Sequence, residues 1–99
     1  MNLKEQKESF EAFVSKMEET LIKKGNDYAN EDRLSNFKLA GSICGLSAEQ
    51  NCLSLIATKV ARLGVLLNNK SPNNEPIADS ILDLACYATL LNMLKEDSQ

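Results

Sequence analysis

Residues Ser47 to Leu67 read SAEQNCLSLIATKVARLGVLL, and residues Asn74 to Leu94 read NEPIADSILDLACYATLLNML. These two stretches decide the fold. Ser47 and Gln50 form an S-x-x-Q capping box, in which each side chain satisfies a backbone N–H of the other's residue. Leu53, Leu55, Ile56, Val60, Leu63, Leu66 and Leu67 then recur at helical spacing. Asn68 to Asn74, with Pro72 and paired asparagines, reads as a loop. Asn74 is a capping residue and Pro76 falls in the first turn of the next helix. That helix runs through Ile77, Ile81, Leu82, Leu84, Leu90, Leu91 and Leu94, and residues 95–99 are expected to fray. Two long apolar helices joined by a short loop predict an antiparallel hairpin.

Two further helices are predicted upstream. Phe10, Phe13, Val14, Met17, Leu21 and Ile22 share a face from about Leu3 to Lys24, and Gly25 is a usual stop. A loop follows through Asn26, Asp27, Tyr28 and Ala29. A second helix is expected to start near Asn30 or Glu31, with Leu34, Phe37, Leu39, Ala40 and Ile43 on its apolar side. Gly41 and Gly45 leave its end open. No strand-type alternation of useful length occurs. The chain is thus expected to be a single all-α, four-helix domain over residues 1–99.

With 99 residues, one core is possible but small. A homo-oligomer is therefore expected, since small helical proteins often complete their cores by association. The net charge of −3 does not suit duplex nucleic-acid binding, which needs Lys and Arg against phosphates. There is no His, so imidazole chemistry within one chain is excluded. Cys44, Cys52 and Cys86 lack CxxC spacing and read as reduced core or near-core thiols. The charged N-terminus lacks the apolar core of a signal peptide. No apolar run is expected to approach the roughly 18 residues that span a membrane. A cytoplasmic protein with no membrane partner is expected.

Four features can carry chemistry. Asp79 and Asp83 lie four residues apart on the last helix, with Tyr87 four further, so all three are expected on one face. Two such carboxylates can share a Mg²⁺ or pair with cations. Lys59 and Arg62 interrupt the apolar run of the third helix and need partners there. They either form an ion pair with Asp79 or Asp83, or bind phosphate, for which Arg offers a bidentate fork. Tyr28 either stacks on a base or seals the core. Asn36, beside the core candidate Phe37, either caps a neighbouring loop or contacts a ligand.

The order of these features resembles a group of small phage and prophage proteins, some described as nucleotide-modification-associated domains. The matching pieces are Asp27-Tyr28, Asn36-Phe37, Lys59-Val60-Ala61-Arg62 and Asp79-x-x-x-Asp83-x-x-x-Tyr87-Ala88, over residues 24–91. The group is distantly similar to MazG-type all-α nucleoside triphosphate pyrophosphohydrolases. The resemblance implies a helical oligomer with a nucleotide-sized site between helices. Lys59, Arg62, Asp79, Asp83 and Tyr87 would line or support that site, with Tyr28 nearby. Ala29 stands where the group carries Gly. MazG-type enzymes also hold Mg²⁺ with acidic pairs on two helices, and the partner pair is missing here. Glu8 with Glu11 lies outside the resemblance, and Glu18-Glu19 lacks the spacing.

The implied function is a phage-type nucleotide binder that sequesters a nucleotide, an immune signal for instance, without turnover in the host cytoplasm. A Mg²⁺-dependent pyrophosphohydrolase ranks behind it, because phosphoryl transfer short of metal ligands loses its main charge stabilisation. A non-catalytic protein-interaction module is the third alternative.

Overall fold

The computed structural model describes residues 1–23, 32–69 and 74–98. All regular structure among them is helical: α1 (Leu3–Glu18), α2 (Ser35–Cys44), α3 (Ala48–Leu67) and α4 (Asn74–Asp97). Asn2 caps α1 by accepting from the Glu5 N–H at 2.8 Å. The helix then widens into a π turn, Glu19–Lys23. The expected glycine stop at Gly25 and the loop through Tyr28 lie outside the described residues. Beyond them, the Arg33 guanidinium donates to the carbonyls of Leu21 and Ile22 at 3.2 and 3.3 Å. A cation here meets the orphan acceptors that a helix C-terminus leaves behind.

The second helix starts later than the sequence suggested. It begins at Ser35, because the Asp32 carboxylate accepts from the Leu34 N–H at 3.0 Å and holds residues 32–34 in a turn. Its end is settled by the two glycines. Gly45 adopts the left-handed conformation (φ 71°), and Leu46 N–H donates back to the Gly41 carbonyl at 2.8 Å. This is a Schellman closure. Gly41 has a different task. A Cβ placed there would lie 2.8 Å from the Leu46 carbonyl oxygen and 3.0 Å from that of Ser47.

α3 starts and ends where the sequence indicated, with both halves of the Ser47–Gln50 capping box formed. Among the described residues α4 runs from Asn74, which is itself helical rather than the cap the sequence suggested. Residues 70–73, including Pro72, lie outside the described residues. α3 and α4 pack closely and run antiparallel. The Cys52 thiol near the start of α3 donates to the Tyr87 carbonyl at 3.3 Å, and Lys59 reaches back to Asp83. The core forms at one end of this pair. Leu34, Cys52 and Leu94 are buried there, with Phe37, Ile56, Tyr87, Leu90 and Leu91 packed around them. Burying a Leu of this kind stabilises by roughly 1.5–3 kcal/mol.

Three expectations need correction. Cys44, at the end of α2, is exposed, whereas Cys52 and Cys86 are buried. Burial pushes both buried thiols up from their ordinary pKa, with a smaller contribution at Cys86 from Asp83. α4 extends to Asp97, into the stretch from residue 95 that the sequence reading placed in the tail. Lys38 of α2 reaches Asp32 at 2.6 Å and Asp97 at 2.8 Å, clasping the end of α4. The Asp32 partner, then Asp97, raises the Lys38 pKa further above its ordinary range. Finally, Pro76–Asp97 is long and apolar enough to cross a membrane by length and composition. Packing against α3 covers one side of this helix, and 17% of the apolar window is buried among the described residues.

Gly41→Ala should destabilise the protein by about 1–3 kcal/mol, the usual effect of overpacking a site whose neighbours are backbone. A lowered urea midpoint with an unchanged slope is the expected result.

Candidate functional site

The residues singled out from the sequence fall on facing sides of α3 and α4. Lys59 Nζ sits 2.9 Å from Asp83 Oδ2, with the two side chains 23% and 40% exposed. This is the interhelical ion pair foreseen as one alternative. It follows from the antiparallel register, which brings the middle of α3 against the second and third turns of α4. An ammonium has three donors. With one directed at Asp83, the others remain available to a second anion.

Arg62 lies one turn further along α3 and is exposed. Among the described residues it has no ion-pair or hydrogen-bond partner. Helix geometry puts its Cβ about 5–6 Å from that of Lys59. The two cations therefore border one patch. Asp83 fixes Lys59 there, and the Arg62 fork stays free to turn.

Asp79, Asp83 and Tyr87 do not act as one row. Asp83 turns toward α3. Asp79 borders a groove of about 430 Å³ between α1 and α4, lined by Phe13, Lys16, Ala78, Ile81 and Leu82 as well. Tyr87 packs edge-on against Phe37, with ring centroids 6.4 Å apart and an interplanar angle of 87°. The reason is the helix period. Each four-residue step overshoots a full turn by about 40° at 3.6 residues per turn. Two steps from Asp79 to Tyr87 rotate the stripe from the α1 side to the core.

The pair Asp79 and Asp83 is thus split between two neighbours. Among the described residues, no group of three or more Asp, Glu or Cys side chains is placed to hold a metal ion. Asn36 is exposed in the first turn of α2, while Phe37 joins the core as expected. Tyr28 lies outside the described residues.

Sequence inspection missed two contributors. Phe13 and Lys16 join Asp79 at the groove, and only their i, i+3 spacing on α1 hints that they share a face. The Lys38 clasp spans 59 residues to Asp97, and nothing local announces it.

Removing one partner of the central pair should cost more than removing both. Asp83→Ala strands a mostly covered ammonium, and we expect a loss of about 1 kcal/mol, given the partial exposure of both side chains. Adding Lys59→Met should recover most of it. Urea unfolding of the four proteins of this cycle measures the coupling, and additive losses would show that the pair contributes nothing.

No family model matches the chain, and neither a curated protein nor a solved structure matches it.

Proposed function

We propose that this chain binds a small phosphorylated nucleotide and holds it without turnover, in the cytoplasm of the cell that contains it. One observation carries this reading. An exposed arginine without a partner among the described residues stands one turn from a lysine that a carboxylate already holds in place. A guanidinium gives two parallel N–H donors to a phosphate, and the neighbouring ammonium supplies a point charge. Holding Lys59 beforehand lowers the ordering entropy that binding would otherwise cost. In this reading Lys59 and Arg62 grip phosphate, Asp83 orients Lys59, and Tyr87 stiffens the wall from the core side. Tyr28 and Asn36 would meet the base.

Sequestration is favoured over hydrolysis because the carboxylates diverge. Asp83 is committed to Lys59, and Asp79 faces the α1 groove. A two-carboxylate remnant split in this way is a poor cradle for the Mg²⁺ that pyrophosphate release would need. A second reading, a protein-interaction module, draws on the apolar residues left at the surface, among them Leu39, Ile43 and Val65.

Titration calorimetry against linear and cyclic nucleotides tests the proposal. Binding of at least one is expected. Arg62→Ala should weaken it roughly tenfold or more, the effect of a lost charge-assisted hydrogen bond, and Arg62→Lys should restore only part. Absence of binding to every nucleotide tried overturns the proposal. Pyrophosphate release from dNTPs with Mg²⁺ would replace the binder by an enzyme.

A further inference from the structure

The groove between α1 and α4 lies apart from the Lys59–Arg62 patch. Phe13 and Lys16 stand one turn apart on α1, and Ala78, Asp79, Ile81 and Leu82 line it from α4. Its volume of about 430 Å³ falls within the usual range of small-molecule pockets. The lining is mostly apolar. Phe13 and Leu82 are half-buried, and Ile81 is 44% exposed. Ala78 keeps the groove open, because a Leu or Met in its place would fill the width that its methyl group leaves.

Two opposite charges border this apolar surface. Lys16 and Asp79 are both exposed. Among the described residues, neither side chain has an ion-pair or hydrogen-bond partner. They line one groove from different helices without closing to the roughly 4 Å of an ion pair.

We propose that this groove binds a free α-amino acid with a large apolar side chain. Its ammonium meets Asp79, its carboxylate meets Lys16, and its side chain lies against Phe13, Ile81 and Leu82. The proposal is independent of the nucleotide reading, since neither Lys59 nor Arg62 lines the groove.

Charge selects this ligand class. An apolar carboxylate would satisfy Lys16 but set its anion near Asp79. An apolar amine would satisfy Asp79 but set its cation near Lys16. Either pays for a like charge as well as gaining an opposite one. A zwitterion gives each border its complement and brings no net charge to a groove whose own two charges cancel. The side chain follows from the lining: the Phe13 ring offers an edge or face to an aromatic or branched group, and covering it removes apolar surface from water.

Such a ligand would also bridge α1 to α4. α1 has no buried residue of its own, so a molecule seated in the groove would stabilise its attachment by mass action. Exposed charges contribute little each, and the expected Kd is on the order of 1 mM.

NMR titration of the full chain with L-phenylalanine tests this. Saturable shifts are expected at the amides of Phe13, Lys16 and Asp79, with those around Arg62 unmoved. Phenylpropionate, which lacks the ammonium, and phenethylamine, which lacks the carboxylate, should each bind roughly tenfold more weakly. Lys16→Met and Asp79→Asn should each weaken L-phenylalanine by a similar factor. Both positions are exposed, so helical circular dichroism should be unchanged. Ala78→Leu should abolish binding without lowering the thermal midpoint, since it fills the groove from an exposed position. The proposal is overturned by the absence of saturable shifts at roughly ten times the expected Kd, or by shifts centred on Arg62 instead. It is equally overturned if L-phenylalanine binds no tighter than its two singly charged analogues, or if either charge variant binds it as the wild type does.

Discussion

The structure depends on the antiparallel contact between α3 and α4. Most helical stability in proteins comes from packing an apolar face, and α3 and α4 supply such faces to each other. Their contact buries Cys52 and Leu94, and α2 then lays Leu34 and Phe37 over the same end. What remains is attached more lightly. α1 has no buried residue, and it meets α4 across a groove rather than a closed seam. Stability is therefore concentrated where the first half of α3 meets the second half of α4.

Charge is distributed by the same geometry. Within the seam, the lysine of α3 has its carboxylate on α4, and that pair lies just beyond the core. At the core end, Lys38 closes the structure by gripping both Asp32 and Asp97. That clasp is exposed and so sensitive to salt. It orders chain ends more than it adds stability. Arg62 stands apart from these pairings, and the proposed anion binding rests on it.

Local chemistry made much of the fold legible. The Ser47 capping box fixes the start of α3 because its hydrogen bonds span only three residues. Pro76 marks the opening turn of α4 for a similar reason. The misplaced start of α2 reflects a competition that sequence patterns do not rank. Asn30 looked like a cap, yet Asp32 spends its carboxylate on a turn and Arg33 reaches back to α1. The persistence of α4 to Asp97 depends on a partner 59 residues away. At the site, the Lys59–Asp83 pair was one of two open alternatives. The divergence of Asp79, Asp83 and Tyr87 needed the positions of α1 and α2, because each neighbour takes a different part of a slowly rotating stripe. Cys44 looked buried by composition, but it is the last residue of α2 and is exposed there.

Native-state hydrogen exchange tests the central claim most directly. Amides from Cys52 to Leu55 and from Tyr87 to Leu94 should exchange only through global unfolding, while α1 amides exchange through a lower-energy opening that leaves the α3–α4 pair intact. Equal protection of α1 and the pair, or faster exchange in the pair than in α1, would contradict it.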